Sequence, residues 1–172
     1  MTRAMARVAA MTRRSRGLRP VGADFADTAP VRLSFAARMA AAPEEVYRAL
    51  ADEVEAWPRW FRVVTLARPV EREGRDGHEI HLLGTIRFLE TVMVAVPQRR
   101  YAYRVDATNL PGVHAMLDDW RLSPVGGGTI LQWRIGMDGP LPGRLAVQLA
   151  RPLLHRVFRD AVRTLDRRLS AA

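Results

Sequence analysis

The sequence predicts an α+β fold in which a curved antiparallel sheet of seven strands wraps around one long C-terminal helix, in the order β-α-α-β6-α. Three observations predict it. Residues 31–40, VRLSFAARMA, alternate apolar and polar side chains with a period of two. Six more short segments come next, each bounded by glycine or proline turn signals. The chain then closes with apolar residues recurring every four positions. A twisted sheet of that width cannot leave a whole apolar face in water, and one helix covers only part of it. The pattern therefore implies an interior space that something must close.

Each element has its own signal. Residues 1–30 show no sustained period, end in turn formers and carry six arginines against Asp24 and Asp27. They read as a flexible basic leader, with Met5 and Met11 as alternative starts, ahead of a domain spanning 31–172. In the first strand Val31, Leu33, Phe35, Ala37 and Met39 share a face. Pro43 suits a first helical turn, and Glu44 and Glu45 suit the positive end of the helix dipole. Val46, Tyr47 and Leu50 give that helix its apolar side, and the aromatic turn EAWPRWF comes after it at 55–61. Strands are expected at 63–72, 78–84, 86–96, 100–107, 114–124 and 129–137, joined by short connections into a meander. Leu145, Leu149, Leu153, Val157, Ala161, Leu165 and Leu169 form the stripe of the final helix, which Pro152 should kink or divide.

Composition narrows the functional classes. With 172 residues, 48% of them hydrophobic, the chain suits one domain with a sizeable core. No apolar run reaches the roughly 20 residues of a membrane helix, and no secretory signal is legible. The absence of cysteine excludes disulfides and thiolate sites, and it suits a cytoplasmic location. All 27 basic residues are arginine, as codon bias in a GC-rich genome would give. Residues 31–150 hold 15 arginines and 14 acids, so most of the net charge of +9 sits on the leader and the final helix. A solvated tail and helix face explain that distribution better than nucleic-acid binding does. Those two segments remain the surfaces through which peripheral membrane contact would occur, and the oligomeric state is left as monomer or homodimer.

The stretch AAPEEVYRALADEVEAWPRWF (41–61), the hairpin DDWRLSPVGGGTILQWRI (118–135) and the long final helix, in this order, resemble the START-like superfamily. The similarity is to its polyketide cyclase/dehydrase and lipid-transport (SRPBCC) group and covers roughly residues 31–169. The resemblance implies a helix-grip fold with an internal pocket for a hydrophobic ligand; no cofactor is expected. It also implies that the aromatic turn lies at the cavity mouth, so that Trp57, Trp60 and Phe61 roof the pocket. A ring that merely plugs the core is the competing reading for each taken singly.

Chemistry-bearing residues are sparse. Without lysine there is no phosphate-binding loop of the usual kind, and four serines include no nucleophile motif. His78 and His81, three apart on a strand, point to opposite faces and make a poor metal pair. No metal site is expected. Two acids interrupt apolar faces: Glu90 among Ile86, Phe88, Val92, Val94 and Val96, and Asp118 among His114, Met116, Trp120 and Leu122. The strand between them carries Tyr101, Tyr103 and Val105. Neighbouring strands lie about 4.8 Å apart, so Glu90, a tyrosine and Asp118 could converge on the concave wall. The competing expectation is that each acid pairs with an arginine such as Arg104 or Arg134, or that a bulge turns it outward. Arg134 could instead hold an anionic group if its face lines the cavity, although a convex, wet position suits it better. His155 on the final helix could approach the pocket.

The sequence supports three functional readings. The first is a binding module for a small hydrophobic molecule such as a lipid, polyketide-like aromatic or isoprenoid, contacted by Trp57, Trp60, Phe61, Tyr101, Tyr103, Met116, Trp120, Arg134 and His155. The second is a cofactor-independent cyclase or dehydratase in which Glu90 or Asp118 moves protons and Tyr103 donates a hydroxyl. The third is a basic interaction protein for acidic partners or a membrane surface.

Overall fold

A computed structural model of the chain describes residues 15–171. The elements are β1 (Arg16–Gly17), α1 (Phe25–Thr28), β2 (Val31–Met39), α2 (Pro43–Ala51), a 3-10 turn (Val54–Arg59), β3 (Val64–Arg72), β4 (Arg75–Leu82), β5 (Ile86–Val96), β6 (Arg100–Thr108), β7 (Ala115–Val125), β8 (Gly128–Asp138), α3 (Leu141–Leu149) and α4 (Arg151–Leu169). Strands β3 to β8 form the expected antiparallel meander, and β2 joins β8 to give the order β2-β8-β7-β6-β5-β4-β3. This is the helix-grip arrangement, a seven-strand antiparallel sheet with a long C-terminal helix.

The core lies between the concave face and α4. Val31, Leu33 and Phe35 of β2 oppose Met137, Ile135 and Trp133 of β8, so the alternation legible in the sequence becomes one continuous apolar wall. Phe158, Ala161, Val162 and Leu165 of α4 pack against it. The terminal helix is divided at Ala150, because Pro152 cannot donate to the turn before it and fits best in the first turn of a new helix. Asp166 then anchors α4 to the sheet by accepting the backbone N–H groups of Ala40 and Ala41 at 2.9 and 3.0 Å. Among the described residues no helix is long and apolar enough to cross a membrane.

Two expectations change. The leader expected over 1–30 falls partly outside the described residues, at 1–14, but from residue 15 onward the chain is built into the fold. Arg16 and Gly17 pair with Thr108 and Ala107 of β6. Val21, Phe25, Ala26 and Ala29 are buried against Ala115 and Leu117 on the convex side of the sheet. Four apolar side chains in a segment of weak periodicity cover a patch that would otherwise face water, so the structured unit begins well before Val31. The second change concerns β5. Its single alternation, expected to run from Ile86 to Val96, is interrupted where Met93 has no partner on β6, and Val94 pairs with Ala102 instead. A bulge adds one residue, so Val94 and Val96, expected to share the face of Glu90, fall opposite Ala102 and Arg100, and Ala95 falls opposite Tyr101 instead.

Candidate functional site

Between the concave sheet and the two terminal helices lies a cavity of about 420 Å³. Apolar side chains from β3, β4, β5, β8, α3 and α4 make up most of its wall. It opens where exposed lining residues gather: Leu83 in the β4–β5 turn, Pro111 in the β6–β7 loop, Ala146 on α3 and Leu153 on α4. Gly112 and Gly143 make this rim possible. A Cβ on Gly143 would overlap the carbonyl oxygen of Gly112, so only glycine lets α3 lie against the β6–β7 loop.

The aromatic turn closes the inner end of the cavity, not its mouth. Trp57 and Phe61 line it while being 2% and 6% exposed. Trp57 sits 5.5 Å from the His78 ring and 6.0 Å from Tyr103, and donates its indole N–H to the Leu50 carbonyl. Phe61 meets Trp133 edge-on at 5.8 Å. Trp60 does not line the cavity; it stacks behind Phe61 at 5.5 Å as a core ring. The local sequence explains the division. Pro58 sits within a tight 3-10 turn, and Phe61 donates its backbone N–H to the Trp57 carbonyl, so positions 57 and 61 fall on one side of the turn.

Glu90, Tyr103 and Asp118 all line the cavity, brought together from β5, β6 and β7. Among the described residues neither acid meets an arginine. Glu90 contacts His78 Nδ1 at 3.2 Å, and His78 Nε2 contacts the Tyr101 hydroxyl at 2.6 Å. Asp118 Oδ1 accepts the Trp133 indole N–H at 2.8 Å, and the Tyr103 oxygen accepts that of Trp120 at 3.0 Å. A polar belt therefore crosses five adjacent strands at the inner end of an apolar chamber.

Burial sets the protonation of this belt. It pushes Asp118 up to about 8, with the neighbouring Glu90 charge adding to the rise and the Trp133 N–H opposing it. Glu90 is raised well above the usual carboxylate range, first by burial and then by Asp106. His78 is lowered to about 4 by burial. Both phenols, Tyr101 and Tyr103, are raised by burial. Burial thus disfavours the charged form of both Glu90 and His78, which opposes an ion pair between them.

The remaining candidate residues separate. Met116 lines the cavity. Tyr101 and Trp120 lie one layer back, Tyr101 on His78 and Trp120 stacked on Trp133 at 5.2 Å. Arg134, offered as a ligand contact, is on the convex face. It bonds to Asp119 at 3.2 Å and pairs with Asp27 of the ordered N-terminal segment. Asp119 is fully buried and also binds Arg100 and Arg121, so this network anchors the outside of the sheet. His155 is exposed and its ring meets Phe35 at 5.7 Å; it lines a separate groove beside β2 with Arg38, Arg159 and Arg163.

His78 is the site residue that sequence reasoning missed, because its spacing from His81 invites only a metal test. A tight β4–β5 turn at 83–85 puts residue 82 opposite 86, and counting back places His78 opposite Glu90, as the register has it. Among the described residues no group of three metal-ligating side chains is gathered.

Comparison with known proteins agrees with this architecture. The family described as polyketide cyclase / dehydrase and lipid transport matches residues 30–170. The uncharacterized protein Rv2574 of Mycobacterium tuberculosis is 31% identical over 150 residues, covering 86% of this chain and 89% of that protein. In fold, the chain is similar to the Zhui aromatase/cyclase from Streptomyces sp. R1128, with a TM-score of 0.65 at 16% identity over 81% of this chain and 93% of that one. It is likewise similar to a START superfamily protein from Mycobacterium smegmatis, with a TM-score of 0.61 at 15% identity over 81% and 97%. The chain belongs to the polyketide cyclase/dehydrase and lipid-transport family, the START-like (SRPBCC) group of hydrophobic-ligand binders and cyclases.

Proposed function

We propose that the protein binds a small hydrophobic molecule, such as a lipid, a polyketide-like aromatic or an isoprenoid, inside the cavity. The observation that carries this reading is an apolar chamber of about 420 Å³, open at a leucine-bearing rim and provided with three polar side chains at its inner end. Ligand sites typically measure about 300–1,000 Å³ and combine an apolar wall with a few placed polar groups. Trp57, Phe61, Tyr103 and Met116 supply contact area, and Glu90, Tyr103 and Asp118 orient the ligand. Native mass spectrometry of the purified protein tests this. An apolar adduct that is lost on filling the cavity by Ile135→Trp supports it, and retention of the adduct by that variant defeats it.

A second reading is supported by the same three residues. A carboxyl still protonated near neutral pH beside a phenol can act as a general acid. In a cyclodehydration, one such acid would protonate the departing hydroxyl as its C–O bond breaks, and the carboxylate left behind would take the α-proton, so that water is released and the acid regenerated. The aromatase/cyclase of similar fold gives this reading its precedent. Replacing Glu90 and Asp118 by their amides separates the two: loss of turnover with ligand binding retained favours catalysis, and unchanged turnover rejects it.

A further inference from the structure

Resting on the cavity-binding reading, we infer that the inner end of the pocket selects a neutral headgroup whose oxygen accepts hydrogen bonds, and that it turns away carboxylates. Among the described residues that line the cavity there is no arginine and no histidine, although arginine is the commonest charged residue of the chain. The nearest imidazole, His78, stands behind Glu90 with both ring nitrogens engaged by Glu90 and Tyr101. The two ionisable acids that do face the chamber are both carboxyls. A ligand carboxylate would therefore enter an apolar space without a counter-charge and beside two acids, the most costly arrangement for an anion.

Hydrogen-bond donation is available there instead. Tyr103 uses its oxygen to accept from Trp120, and its own O–H has no acceptor within the described protein. Asp118 uses one oxygen to accept from Trp133, leaving the other free of described protein partners. Glu90 likewise engages His78 through one oxygen only. Burial favours the protonated form of both acids, so each can present an O–H to the chamber. A ketone, quinone or ester oxygen fits that array, with the apolar remainder of the ligand running toward Leu83 and Leu153 at the mouth. A charged amine gains a counter-charge only if one of the acids gives up its proton to water, against the burial that favours the neutral carboxyl, so it ranks below the neutral oxygen.

Competition for bound Nile red, a neutral dye, by 2-undecanone, decanoate and decylamine at pH 7 tests the inference on the full chain. The ketone is expected to displace the dye at a concentration at least about ten-fold below that needed for decanoate. An ordinary carboxyl is more than about 99% ionised at pH 7, about two decades beyond its neutral form. Tyr103→Phe should then weaken the ketone by about three- to ten-fold, the worth of one neutral hydrogen bond, while leaving undecane unchanged. Decanoate within about three-fold of the ketone, decylamine tighter than the ketone, or a Tyr103→Phe variant that binds both probes as before would each overturn the headgroup selection and leave the cavity reading standing. Failure of the dye and of every competitor to bind would overturn the cavity reading, and this inference with it.

Discussion

Replacing Asp118 by asparagine should convert a pH-dependent fold into a flatter one. Asp118 is buried, and its pKa rises from 3.8 to about 8 on folding. The folded chain therefore holds this proton more tightly than the unfolded chain does. Stability is full below about pH 4, falls as the pH rises, and levels once Asp118 is ionised in both states above about pH 8. Each pKa unit corresponds to about 1.4 kcal/mol, so the shift of about four units bounds the total loss at roughly 5–6 kcal/mol. Between about pH 5 and pH 8 the share belonging to Asp118 is roughly 3–4 kcal/mol. The amide keeps an oxygen for the Trp133 N–H and cannot ionise, so Asp118→Asn removes this share while preserving the contact at 2.8 Å. Urea unfolding of both proteins from about pH 4 to pH 9 measures the difference. The variant should overtake the wild type progressively as the pH rises. Two parallel stability profiles would refute the reasoning, because they would mean that Asp118 is solvated or paired in the folded state.

Other perturbations test other parts of the structure. Phe25→Ala should cost about 3 kcal/mol in urea unfolding, as for other buried phenylalanines, since Phe25 is buried on the convex face with Val21 and Leu117; a cost near zero would return residues 15–30 to the status of a loose leader. Asp166→Ala leaves the N–H groups of Ala40 and Ala41 without their acceptor and should lower stability by about 1–3 kcal/mol, read by the same melts. Gly143→Ala forces the new Cβ against the Gly112 carbonyl. It should cost about 1–3 kcal/mol and change the rate of Nile red uptake, measured by stopped flow, because the strained contact lies on the rim.

The legible parts of the site were those that depend on strand period and strand adjacency. Glu90 and Asp118 stood out because a carboxyl interrupts an otherwise apolar period-2 face, and the meander made β5, β6 and β7 neighbours. The role of His78 was hidden because it depends on the β4–β5 register, which one turn residue more or less would shift. The bulge at Met93 was hidden for a related reason: residues 92–96, VMVAV, are all apolar and mark neither face, and only the pairing with β6 shows the added residue.

Periodicity and turn chemistry along the chain were enough to set the order of elements from Val31 onward, the meander, the break in the last helix near Pro152 and the expectation of an apolar chamber, since these signals act over a few residues. Long-range packing settled which end of that chamber is open, that Trp57 and Phe61 seal the inner end while Trp60 backs them, and that residues 15–30 clasp the convex face. It also settled that Arg134 sits against Asp119 on the convex face and does not line the cavity. Those outcomes turn on which distant surfaces meet, and a contact such as that of Arg134 with Asp27, 107 positions away, leaves no periodic trace along the chain.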